Sequence, residues 1–233
     1  MKRTSVFMTA ALLGLLVIVA VSCGKGGGIS PLDVVGKESI TSFDKLLQQT
    51  ARQINVDEMN GGWSLAAPDG MARFIWSKNY AASPLHDVML ELDAAPFLAA
   101  GLDPGKLPEN FAFYDGMIMV GTKLGEETLK YSGEATPLAS YEQIVKLKRS
   151  SIGYHASLDH YGVNLGDGNL FEWAKDMDTN DKDMVFVLNP EPFIEAGVDP
   201  NKVEGWVFGK VTVDDANGKP VEVDKLLKPF DIR

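Results

Sequence analysis

One stretch of this chain occurs twice, and the recurrence limits what the chain can fold into more than any other feature. Asp87-Val-Met-Leu-Glu-Leu-Asp-Ala-Ala-Pro-Phe-Leu-Ala-Ala-Gly-Leu-Asp-Pro104 returns 96 positions later, without a gap, as Asp183-Met-Val-Phe-Val-Leu-Asn-Pro-Glu-Pro-Phe-Ile-Glu-Ala-Gly-Val-Asp-Pro200. Asp87, Pro96, Phe97, Ala100, Gly101, Asp103 and Pro104 recur as Asp183, Pro192, Phe193, Ala196, Gly197, Asp199 and Pro200. A fixed spacing of this kind signals one supersecondary unit used more than once. Here the expected unit is about 97 residues long and occurs in tandem.

The repeated residues explain themselves as local structure. Val88–Leu92 and Met184–Leu188 are short apolar runs that suit buried strands. Asp93 and Asn189 follow them, and such side chains accept hydrogen bonds from the free amides of a helix start. Pro190 suits a first helical turn, where its missing N–H is not needed. Gly101 and Gly197 suit a left-handed helix end, and Asp-Pro directly afterwards prevents continuation. Phe97 and Phe193 are the residues each short helix is expected to bury.

The flanking sequence extends the correspondence. Phe43, Leu46, Leu47 and Ile54 fall at helical spacing, as do Tyr141, Ile144, Val145 and Ile152. Ser140 with Gln143 reads as a capping box, and Thr41 with Asp44 as a weaker one. Next come two hairpin-like segments, Trp63–Trp76 turning at Pro68-Asp-Gly70 and Tyr161–Trp173 turning at Gly166-Asp-Gly168. Further strands are expected over 111–123, 206–213 and 221–223, the last two joined by a turn at Asn217-Gly218. Helices beside strands joined by tight turns predict an α+β fold, with a helix and antiparallel-sheet unit duplicated in tandem. The boundaries read as a signal peptide over 1–22, a tether over 23–37, repeat unit 1 over 38–135 and repeat unit 2 over 136–233. The short joint around Ser132–Pro137 favours two halves related by an approximate two-fold, sharing a sheet or facing each other across a groove.

The N-terminus carries a different signal. Lys2-Arg3 precede an apolar run from Val6 to Val21, and small residues and Cys23 follow. That order describes a secretory signal, and the run is shorter than the roughly 20 residues of a spanning helix. Ala20-Val-Ser-Cys23 resembles a bacterial lipobox, with Ala20 where Leu is commonest. The resemblance implies a lipoprotein: cleavage before Cys23, acylation of its thiol with diacylglycerol, and a further amide-linked acyl chain such as palmitate. Cys23 is the sole cysteine, so it has no internal disulfide partner, and acylation gives it a role. Two acyl chains are enough for stable anchoring. Gly24-Lys-Gly-Gly-Gly28 then reads as a flexible tether continuing to about Lys37. Loss of residues 1–22 removes two positive charges and takes the net charge from −10 to −12. A chain this acidic is a poor partner for nucleic acid or anionic headgroups.

Candidate chemistry is sparse. Asp176-Met-Asp-Thr-Asn-Asp181 with Asp183 resembles the start of a calcium loop, but Asp181 stands where Gly is needed and Val187 where Glu is needed. His155, Asp159 and His160 invite a metal reading; five residues apart on one strand, the two imidazoles would face opposite ways. His86 could join them only through the fold. Gly62-Trp-Ser-Leu-Ala66 approaches a nucleophile elbow, yet no base partner for Ser64 is evident. Trp63, Trp76, Trp173 and Trp206 read as core or half-core residues. No metal and no cofactor is expected. The expectation is therefore a lipid-anchored extracytoplasmic binding module of the cell envelope, without catalytic activity, tied to the membrane through its N-terminal acyl chains. Its partner would be an envelope protein or a small ligand. The alternatives are a small-molecule carrier with its site between the halves, and a hydrolase whose active site is scattered along the chain.

Overall fold

A computed structural model describes residues 15–16, 31–58, 61–77, 87–122, 136–147, 149–155, 158–177, 182–214 and 219–232. The lipobox, Cys23 and the Gly-rich run lie outside the described residues, as do His86 and the acidic turn 178–181. The architecture is α+β, with two antiparallel sheets of six strands and four helices.

In the first half, helix α1 (Pro31–Gln49) leads into β2 (Ile54–Asp57), β3 (Gly62–Ala66), β4 (Ala72–Ser77) and β5 (Val88–Asp93). The short helix α2 (Ala95–Ala99), β6 (Phe111–Tyr114) and β7 (Met117–Thr122) complete it. The second half repeats that order with α3 (Pro137–Leu147), β8 (Ile152–His155), β9 (His160–Gly166), β10 (Asn169–Ala174), β11 (Met184–Leu188), α4 (Glu191–Glu195), β12 (Val207–Asp214) and β13 (Pro220–Phe230). The first sheet runs β2-β3-β4-β5-β7-β6, and the second runs β8-β9-β10-β11-β13-β12. The two orders coincide strand for strand. A two-residue strand β1 (Leu15–Leu16) adds in parallel beside β12.

The local signals explain most of these elements. Asp93 Oδ1 accepts from the Ala95 amide at 2.9 Å and Asn189 Oδ1 from the Glu191 amide at 3.2 Å, but each stands one residue ahead of the helix cap, which is Ala94 in α2 and Pro190 in α4. Gly101 and Gly197 sit at φ 108° and 100°, past the helix ends, where a side chain would be strained. Asp115 and Gly116, at φ 50° and 76°, turn β6 into β7, so residues 111–122 form a hairpin.

Three expectations are corrected. The longer helices start earlier than the capping boxes imply: a proline takes the first helical position in each, Pro31 and Pro137, and Thr136 Oγ1 accepts from the Ala139 amide at 3.2 Å. Ser140 therefore lies inside α3, and Gln143 is buried with an unpaired Oε1. The helical phase of Ile54 and Ile152 is coincidental, since both begin edge strands. Helix α1 also occupies residues 31–37, the stretch read as the end of the tether.

The halves meet through residues that touch their own counterparts. Phe43 stacks on Tyr141 at 4.1 Å between ring centroids, Phe74 on Phe171 at 4.4 Å, and Phe97 lies 4.9 Å from Phe193. The amide of Asp103 donates to Ala196 O at 2.8 Å, and that of Asp199 returns the bond to Ala100 O at 2.9 Å. Reciprocal pairing of this kind is the mark of a two-fold interface. The halves also exchange partners. Phe97 packs on Trp206, and Phe193 on Phe111. Ser42 on α1 donates to Ala174 O at 2.8 Å in the second sheet, while Trp76 in the first sheet donates to Pro137 O on α3 at 3.0 Å. One continuous apolar core results, running through both halves. The halves keep separate sheets, and aromatic rings fill the space between them where an open groove was one expectation.

Candidate functional site

Because strand residues alternate, each sheet that turns one face to this core presents a second face outward. On the first sheet that outer face is concave. A cavity of about 540 Å³ opens over β2 to β5, lined by Asn55, Asp57, Glu58, Ser64, Arg73 and Glu91 among others. Cross-strand register places these groups: Asn55 opposes Ser64, and Arg73 opposes Glu91. Glu91 is buried, with Arg73 Nη1 at 3.2 Å from its Oε1. Burial pushes the Glu91 carboxyl above its ordinary range, Arg73 draws it back, and Asp57 adds to the rise. Three carboxylates and one guanidinium around a polar hollow suit a small polar ligand with hydrogen-bond donors.

The outer face of the second sheet is built differently. His155 on β8 and His160 on β9 are a direct cross-strand pair, so both imidazoles project to one side. The expectation that they diverge is overturned, because a tight turn with Asp159 at φ 53° reverses the chain between them. Both approach Glu172 on β10. His155 Nδ1 lies 3.4 Å from Oε1 and His160 Nδ1 lies 3.9 Å from Oε2. All three side chains are buried, at 7%, 2% and 4% exposure for His155, His160 and Glu172. Gly162 keeps the approach open, since a Cβ there would sit 3.1 Å from Glu172 Cγ. Burial pushes the Glu172 carboxyl up, but the two imidazoles together outweigh it and hold the carboxyl below its usual range.

The third residue of the metal reading stands apart. Asp159 takes a hydrogen bond from the Tyr154 hydroxyl, which with burial raises that phenol to about 12. On the same side of the sheet Tyr161 donates to Glu38 at 2.6 Å, and Lys175 lies 3.4 Å from that carboxylate. Among the described residues no group of three or more His, Cys, Asp or Glu side chains is arranged to hold a metal ion. Asp183, from the acidic stretch, is fully buried, and its Oδ2 accepts from the Ile232 amide at 2.7 Å. Ser64 sits mid-strand and β3 turns into another strand, so the strand-to-helix turn of a nucleophile elbow is missing there. Trp76, Trp173 and Trp206 are buried and Trp63 is half-buried. Sequence reasoning missed Glu91, Arg73 and Glu172. The one signal it could have used is the near-palindrome Tyr154-His155…His160-Tyr161, which mirrors the cross-strand pairing.

The chain shows no significant match to any family model, curated protein or solved structure. No described helix is long and apolar enough to cross a membrane.

Proposed function

We propose that the protein is a lipid-anchored, extracytoplasmic binding module that captures a small polar ligand in the cavity over its first sheet and acts without catalysis of its own. The observation that carries this reading is the 540 Å³ hollow with a buried Glu91 held by Arg73 at its base. A paired, buried carboxylate at the floor of an open cavity is a ready acceptor for a donor-bearing ligand. The lipobox resemblance at Ala20–Cys23 supplies the anchor and the envelope location, and tethering raises the effective concentration of the module near the membrane. The recurring 96-residue spacing and the matching strand orders support a tandem duplication of a unit of about 97 residues.

Two measurements test this. Metabolic labelling with a fatty acid is expected to mark the wild type and to spare Cys23→Ala; equal labelling would remove the anchor. Native mass spectrometry of protein drawn from the envelope is expected to show a small-molecule adduct in the wild type. A double variant, Arg73→Ala with Glu91→Gln, should lose it. A bare wild-type mass under gentle conditions, or an adduct that survives the double substitution, would sink the cavity as the site.

A further inference from the structure

We propose that the cavity over the first sheet takes a small organic cation, an amine or guanidine carried on an aliphatic stem. The inference rests on the reading of that cavity as a ligand site and names the chemistry it selects. Charge is the first argument. Asp57, Glu58 and Glu91 line the hollow against one lining cation, Arg73, which leaves the lining at −2. Arg73 is itself committed to Glu91, and Glu58 makes no ion pair with any described residue. A concave wall of one sign concentrates ions of the other, and the chain as a whole carries −10.

Ser64 is an independent sign of a ligand. It is 3% exposed and lines the hollow from the middle of β3, opposite Asn55, yet its hydroxyl has no hydrogen-bond partner among the described residues. Buried hydroxyls are ordinarily bonded, and a ligand N–H directed at Oγ would complete this one. The rest of the lining also asks for donors. Ionised carboxylates only accept, and Asn55 Nδ2 is turned to Gln53 O at 3.3 Å, so its side-chain oxygen is left to accept. Burial is the main cause of the raised Glu91 carboxyl, and repulsion from Asp57 adds to it; a cation seated between the carboxylates relieves that repulsion. Val56 and Ala66 supply apolar lining for a methylene stem, and a volume of about 540 Å³ falls within the ordinary range of small-molecule sites. A bare metal ion suits the hollow less well, since no three acidic or imidazole groups among the described residues are arranged to hold one.

Isothermal titration of the full chain with a matched four-carbon series tests the assignment, using diaminobutane as the cation, butanediol as the neutral probe and succinate as the anion. Calcium chloride serves as the inorganic control. Diaminobutane is expected to bind at least tenfold more tightly than butanediol, and succinate not at all. Its affinity should fall about tenfold in Ser64→Ala and in Glu58→Gln, the scale of one charge-assisted hydrogen bond. The first variant removes one hydroxyl and the second alters an exposed side chain, so both keep the fold. Butanediol or succinate binding as tightly as diaminobutane, or calcium displacing it, would overturn the proposal. So would unchanged affinity in both variants, or no binding of diaminobutane. The adduct seen by native mass spectrometry then separates the two failures. An adduct that is retained by the wild type and lost in the Arg73→Ala, Glu91→Gln protein leaves the cavity a site and only its ligand class wrong. A bare mass removes the site itself.

Discussion

Expressed apart, residues 24–135 and 136–233 are each expected to lack a cooperative thermal transition, and mixing them is expected to restore one. Apart from the two-residue β1, each half contains every strand of its own sheet, so the outcome turns on where the helices pack. Ser42 of α1 bonds to the end of β10, and Tyr141 of α3 donates to Ser39 of α1 at 3.0 Å. Trp63 of β3 donates to Ser140 of α3 at 3.1 Å. Separation would also expose Phe43, Phe74 and Phe97 from one half and Tyr141, Phe171 and Phe193 from the other. At about 1.5–3 kcal/mol for each fully buried large side chain, three rings per half amount to on the order of 5–9 kcal/mol. That rivals the whole stability of an ordinary domain, about 5–15 kcal/mol. Circular dichroism melts of each half, alone and mixed, would decide. A sharp transition in either isolated half near that of the full chain would show that the exchange of helices is ornamental.

Replacing Phe97 or Phe193 by Ala is expected to cost about 3–5 kcal/mol, because both rings are fully buried and their sites have no room to collapse. Phe97 is held between Phe193 at 4.9 Å and Trp206 at 5.7 Å, and Phe193 also meets Phe111 at 5.4 Å. Since the two phenylalanines touch, the double variant should cost less than the sum of the singles, by about 0.5–3 kcal/mol of coupling. Leu98 is the internal control. It is the next residue on the same helix but 43% exposed, and Leu98→Ala should stay within roughly 0.5 kcal/mol. Urea denaturation measures all four variants. Phenylalanine variants no weaker than Leu98→Ala would mean that the core is not organised around this pair.

What the sequence reveals of the fold depends on how local each cause is. The Asp-Gly turns and the Asp93 and Asn189 side-chain bonds to the amides two residues on act locally, and they can be read directly. The starts of the long helices mislead because two local signals compete, and proline at the first position outranks a Ser-x-x-Gln pair further in. The edge strands β2 and β8 escape notice because their apolar residues continue a helical phase by chance. The candidate sites are least legible. Arg73 and Glu91 meet only through strand register, across 18 positions of sequence, and Glu172 reaches the histidines only once a turn folds β8 onto β9. Nothing in the residue types marks either meeting.

The close approach of Gly101 and Gly197 says something about how such a chain can vary. A Cβ on Gly101 would stand 2.7 Å from Gly197 O, and one on Gly197 would stand 2.9 Å from Gly101 O. Along this line each segment is its own mirror partner, so any change must fit a copy of itself. Elsewhere the halves answer to different neighbours and differ, as Glu91 and Val187, or Ile75 and Glu172, do at matching places in the two sheets. The resemblance between 87–104 and 183–200 thus falls where the molecule meets itself, and a variant library would be expected to accept changes there only in pairs.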